Sequence, residues 1–427
     1  MMNYRHLFDG IELPVQLANK TNIIPINFDN GATTPPLKWV NETVRRHALG
    51  YGPIARGAGQ RGDRCTEQFE MSRQKVLDFF NLSGRQDYTV IYVKNTTEGL
   101  NLLANVLFEY KSCTVLTTRM EHHANDLPWR NTANIEYVEI GQDGRITLEE
   151  IEKHLIENPN IKFVTVTGAS NVTGYVNPIH DIARIVHKYD AKLVVDAAQL
   201  VAHRAINMAG RCKEEQIDFL VFSGHKMYAP YGVGAIVGLT SDLNHFNKPF
   251  LRGGGAVDVV LDDEVIWSQA PYLHEAGTQN YLGVMALVAA MQMLNNIGFN
   301  EIETHESRIK NYLLQELSQM PEIILYGDID YTRNRLGVIV FNVQSMHFEE
   351  VAFKLASYYG IATRYGKFCA HPYVDRLLQM NARQRHMDEC IHQDENIGMI
   401  RISLGLYNTL EEAKDFICCL KCLIQQH

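Results

Sequence analysis

Apolar residues in this chain gather into short continuous runs separated by stretches of helical periodicity. The runs at 88–93, 113–117, 135–138, 161–167, 191–195, 218–222 and 234–239 read as strands buried on both faces. Helical spacing covers Leu37 to Leu49, Thr66 to Phe80, Thr97 to Tyr110 and Ile179 to Tyr189. Strands alternating with helices predict an α/β fold around a mainly parallel, seven-stranded sheet. Beyond a long apolar helix near 280–297 the pattern changes. Helices at 300–318, 347–359 and 409–425 mix with strands at 336–343, 361–364 and 398–403. We read a large α/β domain over 28–297 and a smaller α+β domain from 1–27 with 298–427. Residues 50–64 form a Gly/Arg-rich loop. Its Gly57–Gly62 matches G-x-G-x-x-G, but no strand precedes it, so the match carries no dinucleotide site.

Composition narrows the class. The 427 residues are 46% hydrophobic and 21% charged, with 40 basic against 49 acidic side chains and a net charge of −9. No basic block is present, so no nucleic-acid partner is expected. The most apolar helical window, Leu282 to Leu294, is too short to span a bilayer and the N-terminus opens polar, so neither a membrane span nor a leader is expected. The expected location is cytoplasmic. Eight scattered cysteines (65, 113, 212, 369, 390, 418, 419, 422) are expected to be reduced thiols. Cys418, Cys419 and Cys422 lack a second Cys or His pair at zinc spacing, and no metal site is expected.

The chemistry is sought where α/β sheets bind ligands, at the carboxyl ends of strands. Five strand ends carry polar groups: Lys94-Asn-Thr-Thr-Glu-Gly, Met120-Glu-His-His-Ala-Asn, Ser170-Asn-Val-Thr-Gly, Asp196-Ala-Ala-Gln and Ser223-Gly-His-Lys. Lys226 ends a buried strand, where an ammonium is costly unless paired or neutralised. A desolvated lysine loses its proton readily and condenses with a carbonyl, which points to pyridoxal 5′-phosphate. Each further group has a matching job. Asp196 can keep a pyridine nitrogen protonated and Gln199 can hydrogen-bond the phenolic oxygen. His123 can stack on the ring and pass protons, and Thr96, Thr97, Ser223 and His225 can cradle the phosphate. Taken singly, each has a plain structural explanation, such as a helix cap for Asp196. Five successive strand ends together favour the cofactor.

These residues make the chain resemble the class V aminotransferases, fold type I pyridoxal-phosphate enzymes, and most closely their cysteine desulfurase/selenocysteine lyase branch. The resemblance rests on Asn95-Thr-Thr-Glu-Gly-Leu-Asn, Met120-Glu-His-His-Ala-Asn-Asp-Leu-Pro-Trp, Ser170-Asn-Val-Thr-Gly and Val195-Asp-Ala-Ala-Gln. It continues through Phe222-Ser-Gly-His-Lys-Met-Tyr-Ala-Pro, Gly253-Gly-Gly, Glu275-Ala-Gly-Thr-Gln-Asn and Arg401-Ile-Ser-Leu-Gly-Leu-Tyr-Asn-Thr. The segments run in family order from about 28 to the C-terminus. The resemblance implies that Lys226 forms the imine with the cofactor. It also implies that Asn171 and Arg401 hold the substrate carboxylate, with Arg364 a further substrate-binding candidate. Thr278 is expected to reach the phosphate of a neighbouring subunit's cofactor, which implies a homodimer.

Cys369, in Arg364-Tyr-Gly-Lys-Phe-Cys-Ala-His-Pro, matches the cysteine that takes sulfur as a persulfide in the desulfurases. Gly366 permits a mobile loop, and Arg364, Lys367 and His371 would favour a thiolate. The implied reaction releases sulfur from L-cysteine to give L-alanine and a persulfide on Cys369, for transfer to an acceptor protein. The sequence departs from the pattern at Lys367-Phe368, where histidines are usual, and in a long 373–399 segment with a charged stretch from Asn381 to Glu389. The alternatives are a class V aminotransferase or C–S lyase with Cys369 idle, and a non-catalytic relative that keeps only the fold.

Overall fold

The computed structural model describes residues 3–55, 58–328, 330, 334–380 and 397–426. Its main sheet has seven strands: β1 (Tyr88–Val93), β2 (Thr114–Thr118), β3 (Asn134–Val138), β4 (Ile161–Thr167), β5 (Lys192–Asp196), β6 (Phe219–Ser223) and β7 (Gly234–Leu239). They lie in the order β1-β7-β6-β5-β4-β2-β3. All neighbours are parallel except β7, which runs antiparallel to both β1 and β6.

Alternate residues of these strands enter two different cores. Val90, Val195, Leu220, Phe222 and Ala235 join one apolar cluster, while Ile91, Val194, Val221 and Ile236 join the other. With period-2 side chains, this is what a sheet covered on both faces requires. The first cluster draws on the helix Tyr281–Ile297 and on Ile179–Lys188, whose Ile179, Ile182, Ala183 and Val186 form one buried stripe. The second draws on the helix Thr96–Val106. Gly234 opens β7 where the chain has no room to spare: a Cβ there would lie 2.5 Å from the Phe222 carbonyl and 3.0 Å from Asn95 Cα. Glycine lets the turn after β1 close onto β6, and that turn begins the candidate site.

The C-terminal part has its own antiparallel sheet of β8 (Ile323–Leu325), β9 (Val338–Val343), β10 (Arg364–Gly366) and β11 (Met399–Ser403), ordered β8-β9-β11-β10. A separate core of Phe28, Leu313, Phe341, Leu355, Ile402 and Phe416 backs it. Ile26–Asn27 pairs with Ile361–Ala362, tying the early chain to this unit, whereas Tyr4 and Phe8 pack into the core of the large sheet. Among the described residues, no single helix is long and apolar enough to cross a membrane. The helix expected from Thr66 begins earlier, at Gln60, which absorbs part of the Gly/Arg-rich loop. Arg56 and Gly57, with most of the 373–399 segment and its charged stretch from Asn381, lie outside the described residues.

Candidate active site

Because β7 alone is reversed, the carboxyl ends of β1, β2, β4, β5 and β6 open on one edge of the sheet. The turns that follow them line a single cavity of about 270 Å³. Thr96, Thr97, Asn171, Asp196, Gln199, Ser223, His225 and Lys226 come from the large sheet, and Arg364, Cys369 and Arg401 from the small one.

Thr96 starts an 11-residue helix capped by Asn95, whose side chain accepts the Glu98 N–H at 2.9 Å. Ser223 Oγ accepts the Thr96 N–H at 2.8 Å and meets Thr96 Oγ1 at 2.7 Å. A helix N-terminus with adjacent hydroxyls is a ready anion cup. Thr97 and His225 complete its wall. Burial, then the Lys226 charge, pulls the His225 imidazole down to about 4, so the ring is neutral at physiological pH.

Asp196 is buried and Lys226 half-buried, and neither forms an ion pair with a described residue. One Asp196 oxygen accepts the Ala198 N–H at 2.9 Å. Burial pushes the Asp196 carboxyl upward, against the pull of that N–H and of the Lys226 charge. Burial pulls the Lys226 ammonium down to about 8 despite Asp196. A buried carboxylate and a half-buried amine that line one cavity without an ion pair call for a ligand that takes both. Pyridoxal phosphate fits that demand, with an aldehyde for the amine, a ring nitrogen for the carboxylate and a phosphate for the cup.

The two adjacent histidines are placed differently from the expectation. His123 was expected to face the cofactor, but His122 lines the cavity. His122 is extended and caps a short 3-10 turn, its Nδ1 accepting the Ala124 N–H at 3.0 Å. That geometry turns its ring inward and turns His123 away, toward His371, with ring centroids 4.6 Å apart. Burial, with the Lys226 charge next, takes His122 down to about 3, leaving a neutral ring suited to stacking.

The nucleophile candidate is held by its backbone. The Cys369 carbonyl accepts the His123 N–H at 2.7 Å, and the Phe368 carbonyl accepts Asn171 Nδ2 at 2.8 Å. Phe368 and Cys369 are both left-handed, at φ 53° and 54°. Cys369 is exposed and lines the mouth of the cavity. The cations expected to favour its thiolate are engaged elsewhere. Lys367 is buried with Asp375 at 3.2 Å, and Arg364 makes a two-pronged pair with Asp29, at 3.2 and 2.6 Å.

Arg401 is buried. Its Nη1 donates to the Asn171 carbonyl and its Nη2 to Asp29, each at 3.0 Å, and its Nε has no partner among the described residues. Gln199 donates to the Gly31 carbonyl at 2.7 Å. Thr278 is exposed and lies outside this cavity. The seven described cysteines are free thiols; Cys390 is outside the described residues.

Sequence reasoning missed Asp29, which bridges two arginines, and Thr34, whose N–H and hydroxyl both hold the His225 carbonyl at 3.0 Å. The small-residue turn after Asn27 was the available signal. Glu121, in the Met120–Asn125 turn, is also buried. Its oxygens accept from Thr118 and Asn125, each at 2.6 Å.

Comparison with known proteins agrees with this geometry. The class V aminotransferase family model matches residues 26–416. A cysteine desulfurase of Escherichia coli O8 (strain IAI1) is 32% identical over 412 residues, covering 94% of each chain. One from Shigella flexneri is 31% identical over 417 residues, covering 95% of each. Among solved structures, the apo cysteine desulfurase of Thermococcus onnurineus NA1 superposes with a TM-score of 0.81 at 29% identity, covering 94% of this chain and 95% of the other. A cysteine desulfurase of Escherichia coli in an S-sulfonic acid form shares the fold at a TM-score of 0.81 and 23% identity.

Proposed function

This chain belongs to the class V aminotransferase family, in its cysteine desulfurase branch, and from that premise we propose how its own residues bind pyridoxal phosphate and take sulfur from L-cysteine. The observation that carries the reading is that Cys369 and Lys226 line one cavity, delivered by different sheets.

Thr96, Thr97, Ser223 and His225 would hold the phosphate, Asp196 would meet the ring nitrogen and Gln199 the phenolic oxygen, and His122 would pack against the ring. Held by these residues, pyridoxal phosphate would supply an electron sink that acidifies the substrate Cα–H. Arg401 fixes the α-carboxylate by charge-assisted hydrogen bonds, with Asn171 beside it. Lys226, with its ammonium pulled down to about 8, keeps a usable neutral fraction near pH 7 and takes the Cα proton once substrate has displaced it. The Cys369 thiolate then attacks the substrate sulfur. An S–S bond forms as the Cβ–S bond breaks, the electron pair of the broken bond is protonated at Cβ, and Lys226 returns a proton to Cα, so that alanine leaves. The persulfide stays on Cys369 until a thiol acceptor takes it.

The left-handed turn at 368–369 supports this role, because it presents the thiol at the cavity mouth while spending its carbonyls on His123 and Asn171. Thr278 lies exposed and outside its own cavity, which supports a homodimer in which it serves the neighbouring site.

The test is incubation with L-cysteine under reducing conditions, with alanine and sulfide measured together. Equal yields are expected. Cys369→Ala should abolish sulfide while leaving the cofactor's visible absorbance intact. Pyruvate and ammonia instead would make the protein a C–S lyase, and sulfide release undiminished by Cys369→Ala would leave the thiol idle.

A further inference from the structure

Glu121 is the one acidic side chain of the Met120–Asn125 turn, and it is 3% exposed. Its two oxygens fasten that turn at both ends. Oε1 accepts the hydroxyl of Thr118, the last residue of β2, and Oε2 accepts Asn125 Nδ2, each at 2.6 Å. Asn125 is in turn oriented by its far side. Its Oδ1 accepts the Trp129 indole N–H at 3.2 Å and the hydroxyl of Thr165, on β4, at 2.6 Å. An indole N–H can only donate, so Oδ1 must face Trp129 and Nδ2 must face Glu121. Thr118, Asn125, Trp129 and Thr165 are all buried, which closes this network off from solvent.

His122 sits between the two fastened ends. Thr118 Oγ1 also accepts the Met120 N–H at 3.1 Å, on one side of it, and its own Nδ1 takes the Ala124 N–H on the other. Its ring lines the cavity, whereas Glu121 does not, so the carboxyl reaches a ligand only through its neighbour. Without the carboxyl, the Thr118 hydroxyl and the Asn125 amide would each lose a partner inside the protein, where an unmade hydrogen bond is costly. Thr165 and Trp129 hold Asn125 to β4 and to the following helix, so the 118–122 segment is what is left to relax. We propose that Glu121 is a positioning residue that sets the plane of the His122 ring against the bound cofactor. The inference rests on the cofactor reading above and deepens it.

The test uses the cofactor-loaded protein, with three readouts: visible circular dichroism of the cofactor, its dissociation constant by equilibrium dialysis, and melting temperature. Glu121→Ala should change the visible dichroism and weaken cofactor binding by about three- to tenfold, the size of one lost aromatic contact. Glu121→Gln, which can keep both hydrogen bonds, should stay within about twofold of the wild type. The effect should also vanish without the ring: Glu121→Ala combined with His122→Ala should bind the cofactor as His122→Ala alone does. Additive losses in the double variant overturn the proposal. So does a Glu121→Ala protein that melts lower with its dichroism and affinity intact, which would make the network purely structural. A glutamine variant as impaired as the alanine one would assign the effect to charge and overturn it as well. If Glu121→Ala does not fold, Thr118→Val removes one of the two fastenings, and unchanged dichroism there overturns it instead. None of these readouts needs turnover. A wild type that holds the cofactor but releases no sulfide would therefore sink the desulfurase reading alone, and one that takes no cofactor would sink both.

Discussion

The main-chain N–H of His123 donates to the carbonyl oxygen of Cys369 at 2.7 Å, joining the end of a large-sheet strand to the candidate nucleophile of the small sheet. Asn171 makes the companion contact, its side-chain amide donating to the Phe368 carbonyl at 2.8 Å. Two adjacent carbonyls of one turn are thus fixed by two separate strand ends.

Asn171→Ala should loosen that turn. It leaves a buried carbonyl without its partner, a loss of about 1–3 kcal/mol. We expect sulfide release to fall by about tenfold or more, since Asn171 is also placed beside the substrate carboxylate. The cofactor's absorbance should not change. Equal loss of absorbance and activity would mean that the residue supports the cofactor cavity instead.

Cofactor uptake should report the buried amine. Lys226 is pulled down to about 8, chiefly by burial, and only the neutral amine attacks an aldehyde. Protein stripped of cofactor should take up pyridoxal phosphate at a rate rising roughly tenfold per pH unit below 8 and levelling above it. Stopped-flow absorbance measures this directly. A rise continuing to pH 10 would place the amine in ordinary surroundings.

Glu121 should make the fold more sensitive to alkali. Burial, helped by the Asp196 charge, pushes its carboxyl from 4.5 up to about 8, against hydrogen bonds from Thr118 and Asn125. A group raised in the folded state gives its full stability below the unfolded value and loses it as pH climbs toward the folded one. The wild type should therefore lose stability between about pH 5 and 8. Glu121→Gln can keep both hydrogen bonds and should not share that loss. Melting temperatures of the two proteins at pH 5 and 8 decide the matter: the gap should shift in favour of the glutamine variant at the higher pH.

Glu275→Gln should be strongly destabilising. The Glu275 carboxylate accepts two parallel bonds from Arg73, each at 2.8 Å, and a third from the Tyr92 N–H at 2.7 Å. Removing one partner of a buried pair costs about 3–5 kcal/mol. The denaturant midpoint should fall accordingly. The same change should disturb the segment carrying Thr278, three residues on, so the protein's oligomeric state should be followed by light scattering.

Much of this was legible because the large sheet writes itself plainly. Its inner strands are buried on both faces, so each is a largely apolar run, and five of the runs stop where a polar turn lines the cavity. That is why Asp196, Ser223 and Lys226 could be picked out without coordinates. The choice between His122 and His123 was not legible, because it depends on where a three-residue 3-10 turn begins, and adjacent histidines carry no period. Asp29 was invisible for another reason. Its partners lie 335 and 372 residues away along the chain, and a carboxylate before a small-residue turn looks like any turn residue. The helix start at Gln60 was hidden by Gly59 and Gly62; the latter packs against Pro53, where an added Cβ would meet the carbonyl at 3.2 Å. The hairpin of Val257–Val260 and Val265–Trp267 went unread because its strands are short and mostly exposed.

The consecutive left-handed residues Phe368 and Cys369 bear on how sulfur leaves the protein. Each such conformation costs an L-residue about 1–2 kcal/mol, and it persists here only because both carbonyls are fastened to the large sheet. A nucleophile fixed in this way has little travel. On the proposed reaction it would receive and surrender its cargo at the same spot, with a recipient's own thiol reaching to the rim of the pocket.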